Sequence, residues 1–126
     1  MKKSQITTEN LTHFIGKSIN YIKKLSSDKQ AEIISLLKQI QTIQNSDLTI
    51  KEKKKELKVI LWENQTTSKK LLIGAFFGSL IGLSIFGTSG IGIAAFGSAS
   101  GIYGFLTGTL GGTFISSIIQ NYENNK

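Results

Sequence analysis

The feature that most constrains this chain is a run of 52 residues, Leu71 to Tyr122, that contains no Asp, Glu, Lys, Arg or His. The same run holds 12 of the 13 glycines of the 126-residue chain. One crossing of a ~30 Å bilayer core needs roughly 20 apolar residues at ~1.5 Å per residue. The run is therefore long enough for two membrane-crossing helices joined by a turn.

The charged residues lie almost entirely before this run. Residues 1–70 hold 14 of the 15 lysines and 7 of the 8 acidic residues, which accounts for the net charge of +7. Lysine-rich flanks of membrane segments stay in the cytoplasm, and two crossings return the tail to the same side. We therefore predict that both termini are cytoplasmic. A lysine bias without arginine, with many Ile and Asn, resembles the composition of AT-rich bacterial sequences, so the expected location is a bacterial inner (plasma) membrane. The lysines expected to contact lipid headgroups and to set this topology are Lys51, Lys53, Lys54, Lys55, Lys58, Lys69 and Lys70.

Three amphipathic helices are predicted ahead of the uncharged run. Apolar residues at spacings of three and four predict a first helix over about 8–25. Ser27 with Gln30 predicts a capping box that begins a second helix, and Thr49 with Glu52 predicts the same for a third. The third helix is expected to continue toward the membrane, because the chain contains no proline.

Together these patterns predict an all-α protein with N-terminal amphipathic helices and a C-terminal transmembrane helical hairpin. Its parts are a basic cytoplasmic helical module at 1–68, a glycine-rich hairpin at 69–121 and a polar tail at 122–126. The sequence GTSG at 87–90 is expected to form the turn of the hairpin, and a break is expected at 97–101.

Glycine recurs at regular spacing in GAFFGSLIG at 74–82 and GFLTGTLGG at 104–112. In water a glycine within a helix costs about 0.5–1 kcal/mol relative to alanine, whereas in lipid small residues permit the close backbone contact that drives helix association. On a helical wheel the glycines form one stripe, with Phe76, Phe77 and Phe114 on the opposite, lipid-facing side. The predicted helix-packing residues are Gly74, Gly78, Gly82, Gly97, Gly101, Gly104, Gly108 and Gly111.

A polar stripe lies beside the second glycine stripe. Its members fall within about 60° of one another at ~100° per residue. If the hairpins associate through their glycines, these side chains are expected to line a narrow pore. The candidate pore-lining residues are Ser98, Thr109, Thr113, Ser116 and Gln120.

The GxxxGxxxG spacing resembles the glycine-zipper hairpins of small bacterial membrane proteins and of some pore-forming toxins. The resemblance covers about 50 residues of this chain. It implies a homo-oligomer in a lipid bilayer and, in the toxins, a pore.

The sequence does not indicate an enzyme, a cofactor or a metal. The absence of cysteine excludes thiolate chemistry and cysteine zinc sites. In GLSIFGTS at 82–89, Thr88 stands where a phosphate-binding loop needs lysine, and the lone His13 is expected at the surface. The basic segment lacks arginine and interleaved aromatic residues, so nucleic acid is not an expected partner.

Three functions fit these patterns. The leading one is a small oligomerising membrane protein that permeabilises the bilayer, as a toxin, defence effector or phage-type protein. The alternative is a membrane anchor without a pore, whose N-terminal helices recruit a protein partner. In a third, the hairpin stays buried in a soluble precursor until it inserts, as in colicin-like toxins, although about 70 amphipathic residues are expected to be too few to enclose 50 uncharged ones.

Overall fold

The computed structural model describes residues 8–81 and 100–125, and every element within these ranges is helical. The third helix continues directly into a π-helical segment, Val59–Glu63. This architecture confirms the all-α prediction. The described α-helices are α1 (Thr8–Lys23), α2 (Ser27–Gln44), α3 (Ile50–Lys58), α4 (Thr67–Ile81), α5 (Ser100–Thr107) and α6 (Thr109–Asn124).

The capping box predicted at the start of α3 is confirmed. The backbone N–H of Glu52 donates to Thr49 Oγ1 at 3.1 Å, and the N–H of Thr49 donates to Glu52 Oε1 at 3.0 Å. This exchange satisfies two backbone donors that have no partner within the helix.

The cap predicted at the start of α2 is wrong by one residue. Ser26, rather than Ser27, accepts the backbone N–H of Lys29 at 3.3 Å. The side chain of Gln30 turns back and donates to the carbonyl oxygen of Leu25 at 3.0 Å. Adjacent serines are equally able to cap a helix, so the residue type alone does not distinguish between them.

The third helix does not run on toward the membrane as predicted. After the π-helical segment, Gln65 Nε2 donates to the carbonyl oxygen of Ile60 at 2.5 Å, and Thr66 Oγ1 accepts the N–H of Lys69 at 3.2 Å. These side chains close one helix and open the next, so the chain breaks at 64–66 without a proline.

One hydrophobic core joins the two halves of the chain. Helix α1 packs against α4 and α6, α2 packs against α6, and α3 packs against α5. Phe76, Phe77 and Phe114 are 1%, 0% and 0% exposed, and they share this core with Leu37 and Ile40 of α2. In this structure the phenylalanines expected to face lipid therefore contact the chain's own core.

The second half of the uncharged run is divided between two helices rather than forming one long helix. Gly108, with φ −94° and ψ 177°, is extended and separates α5 from α6. Of the break expected at 97–101, residues 100–101 are helical and the others lie outside the described residues, as does the turn expected at 87–90.

Within residues 8–81 and 100–125, no helix combines the length and the apolar character that a bilayer crossing requires.

Candidate functional site

Residues 71–122 are called here the uncharged segment, and α1, α2, α3 and the π-helical segment are called the basic module. The described parts of the uncharged segment, 71–81 and 100–122, lie against the basic module. Gly111 makes the tightest contact among the glycines whose surroundings are described. A Cβ atom at this position would overlap the carbonyl oxygen of Phe105 and would lie 2.8 Å from Leu106 Cα. The backbones of α5 and α6 therefore touch at a point where no side chain fits.

Two other predicted packing glycines, Gly104 and Gly108, are less constrained by the folded chain. Gly74 is buried in α4. A Cβ at Gly104 would meet nothing within 4 Å, and one at Gly108 would make only ordinary contact, 3.6 Å from the Gly104 carbonyl oxygen. Gly112, outside the predicted set, also has open space around it. Gly78 and Gly101 lie in α4 and α5, and Gly82 and Gly97 lie outside the described residues.

Four of the five candidate pore-lining residues share one exposed face of α6. The opposite face buries Phe114, Ile115 and Ile118. Helix α6 is thus amphipathic, with an exposed face built from hydroxyl and amide groups. The exposed residues are Thr109, Thr113, Ser116 and Gln120, and Ser98 lies outside the described residues.

Two polar contacts join α5 and α6 to the basic module, and a third, within the module, holds Gln44 in place. Gln44 Nε2 donates to the carbonyl oxygen of Leu106 at 2.6 Å, near the end of α5. The carbonyl oxygen of Gln44 accepts from Lys53 Nζ at 2.8 Å. Lys38 Nζ lies 2.8 Å from Glu123 Oε2, which joins α2 to α6. Gln44 therefore links the ends of α2 and α5 to α3.

The seven lysines predicted to contact headgroups have different roles in the folded chain. Lys53 holds the end of α2, and Lys70 Nζ lies 5.1 Å from the centre of the Trp62 ring. Trp62 is partly buried against the core. The exposed members of the set are Lys51, Lys55, Lys58 and Lys69, and Lys54 is half-buried.

Ser18 is a buried polar residue that the sequence analysis missed. Its side chain is 1% exposed, and its hydroxyl has no hydrogen-bond partner in the described part of the chain. Ser18 lies four residues after Phe14 and four before Ile22, on the apolar face of α1. That spacing was the signal that could have revealed its burial.

The titratable side chains of the described residues are mostly scattered over the surface. The described residues contain no group of three acidic or histidine side chains placed to hold a metal ion. His13 is exposed, as expected, with its ring 5.7 Å from that of Phe14. Burial raises the pKa of Tyr21, whose ring lies 6.0 Å from that of Phe76. A hollow of about 240 Å³ lies between α1, α2 and α6, and among the described residues that line it Lys23 is the charged one.

A scan against protein-family models, a search of curated proteins and a search of solved structures each found no match.

Proposed function

We propose that this chain permeabilises membranes, and that it stores its uncharged segment against its own basic module before releasing that segment into a lipid bilayer. The observation that carries the proposal is the complete burial of Phe76, Phe77 and Phe114 in a core shared with α1 and α2. A segment that avoids water but contains no charge has two suitable surroundings, a protein core and a bilayer.

The side chains exposed by α6 support transfer to lipid. Thr109, Thr113 and Gln120 carry no charge, so their transfer avoids the cost of about 2.5–3.5 kcal/mol for a lysine at the centre of a bilayer. In the inserted form, residues 69–121 make the predicted hairpin with both termini cytoplasmic.

The glycines that have open space in the folded chain support association after insertion. A Cβ atom at Gly104 or Gly112 would have nothing within 4 Å. Packing in the folded chain therefore does not require glycine at either position. Small residues on exposed helix faces allow other helices to approach closely in lipid. Oligomers formed this way would place the polar face of α6 around a pore.

The polar contacts between the basic module and the uncharged segment are weak enough to permit release of that segment. The Lys38–Glu123 ion pair has side chains that are 52% and 38% exposed, and exposed pairs contribute at most about 1 kcal/mol. The Gln44 hydrogen bond to Leu106 contributes on the order of 1 kcal/mol. The apolar core supplies the rest, and a bilayer offers the same apolar side chains an alternative.

The test is to lock α2 to α6. The chain has no cysteine, so the variant K38C/E123C provides one attachment pair for a short, cleavable thiol cross-linker. We expect the cross-linked protein to release no dye from liposomes and to regain release when the linker is cleaved. Thr42 is exposed on α2, so K38C/T42C, cross-linked within that helix, is the matched control and should release dye throughout.

Two results would contradict the proposal. Equal release from locked and unlocked K38C/E123C would show that the stored form need not open. If the parent protein binds liposomes but releases no dye, the anchor alternative replaces permeabilisation. If the parent protein does release dye, the variant T109V/T113V tests the pore lining, because it removes two hydroxyls at nearly constant shape and should lower conductance while the oligomer survives.

A further inference from the structure

Helix α3 carries four lysines along one side, called here the lysine stripe. At ~100° per residue, Lys51, Lys54, Lys55 and Lys58 fall within an arc of about 100°. The segment 51–58 contains five lysines and two glutamates, a net charge of +3. Lys58 is the stripe member with an acidic neighbour, since its Nζ lies 3.8 Å from Glu63 Oε2. Lys53 lies off the stripe and holds Gln44.

Two large apolar side chains stand exposed at the N-terminal end of the stripe. Leu48 is 38% exposed and Ile50 is 52% exposed. Cations beside exposed apolar side chains suit the boundary of an anionic bilayer, where lysine meets phosphate and apolar groups reach the acyl chains. A surface that binds only nucleic-acid phosphates has no use for the apolar pair.

The stripe lies on a helix that packs directly against the uncharged segment. Helix α3 contacts α5, and Leu57 between them is 0% exposed. Packed helices lie about 8–10 Å apart. A membrane bound at the stripe is therefore separated from α5 by little more than the width of α3.

We infer that the lysine stripe, with Leu48 and Ile50, is the surface by which the folded chain first binds an anionic lipid membrane. The lysines contact headgroup phosphates, and the two apolar side chains enter the headgroup boundary. Binding precedes release of the uncharged segment. This inference rests on the proposed function only for the step that follows binding.

The test compares two variants of equal net charge. K51Q/K54Q/K55Q/K58Q removes the stripe, and K17Q/K23Q/K24Q/K29Q removes four lysines that are exposed on α1, α2 and the turn between them. Each variant changes the net charge from +7 to +3, seven minus four. Urea denaturation should give both the parent's midpoint, because all eight changes lie at accessible positions.

The quantity to measure is the affinity of each variant for phosphatidylcholine vesicles that contain phosphatidylserine. Each lysine near an anionic surface contributes about fivefold in affinity, so the stripe variant should lose roughly a hundredfold or more. The control variant should lose less than about tenfold, because its lysines act only through the long-range, salt-screened field. Equal losses would show that binding follows total charge and would overturn the inference.

The apolar pair separates lipid from nucleic acid. L48S/I50S should lower vesicle affinity roughly tenfold, because two side chains no longer enter the bilayer boundary. Unchanged vesicle affinity in L48S/I50S would overturn their role. Binding of duplex DNA as tight as vesicle binding at the same salt, lost in the stripe variant and kept in L48S/I50S, would assign the surface to nucleic acid instead.

A final arm separates docking from permeabilisation. The stripe variant, tethered by a terminal His-tag to chelating lipids, should regain dye release because tethering replaces docking. If the untagged parent binds but tethered proteins release no dye, docking stands and the proposed function fails. If the untethered stripe variant binds and releases like the parent, docking fails and the proposed function stands.

Discussion

The basic module and the uncharged segment bury their apolar residues in the same core, but they expose different groups. The accessible face of α2 carries Glu32 and Lys38, whereas that of α6 carries Thr113 and Gln120. In water this difference has little effect on folding. In lipid it is decisive, because a lysine at the bilayer centre costs about 2.5–3.5 kcal/mol. Under the proposed function, this difference is the reason that the uncharged segment, and not the basic module, enters the bilayer.

The largest expected effect tests whether the two regions share one core. Leu37→Ala in α2 and Phe114→Ala in α6 each remove a side chain that is 0% exposed, and each should lower the free energy of unfolding by about 2–5 kcal/mol. Urea denaturation should show one transition, and hydrogen exchange should show lost protection in both helices. Full protection of α6 in Leu37→Ala would mean that the regions fold separately. Ser116→Ala, on the exposed face of α6, is the control and should stay within about 0.5 kcal/mol of the parent.

The next largest effect comes from lysine substitutions at two exposed alanines, one in each region. Ala75 lies in α4 and Ala31 in α2, so Ala75→Lys and Ala31→Lys should leave folding nearly unchanged. A lysine at 75 must enter the bilayer with the hairpin, at a cost of up to about 3 kcal/mol, and dye release should fall at least roughly tenfold. Ala31→Lys should release dye like the parent. Equal release from both variants would contradict the insertion of α4.

The smallest expected effect concerns Ser18, a buried residue of α1 in the basic module. Ser18→Ala removes a buried hydroxyl that has no partner in the described residues, and it should raise the free energy of unfolding by about 1 kcal/mol. Because the stored form gains this energy, dye release should slow. Ser35→Ala, at an exposed site of α2, is the matched control for the loss of a hydroxyl. If both variants shift the urea midpoint equally, helix propensity explains the gain and burial of Ser18 does not.

Much of the local structure was predictable because it depends on near neighbours. The periodicity of α1 and α2 and the capping box of Thr49 and Glu52 involve residues three or four apart. The break at 64–66 was not predictable, because Gln65 and Thr66 end one helix and begin the next with side chains that are common elsewhere in helices. The break at Gly108 depends on how α5 packs against α6, a contact that no local pattern encodes.

The sequence predicted which residues of the candidate site group together, but it did not predict what surrounds them. The helical wheel grouped Thr109, Thr113, Ser116 and Gln120, and the structure places them on one face. It also indicated that Phe76 and Phe114 avoid water. It could not specify which apolar surroundings receive them, because transfer out of water is favourable for the side chain in either case.

The contact at Gly111 has a consequence for how related sequences would diverge. Any side chain at position 111 would collide with the backbone of α5. Related sequences that keep this contact between α5 and α6 therefore require glycine at this position. Gly104 and Gly112 are under no such demand from the folded chain, because a Cβ at either would enter open space. Relatives that replace Gly104 and Gly112 freely would need only the folded form described above. Relatives that keep Gly104 and Gly112 would indicate selection for a second conformation in which these glycines are needed.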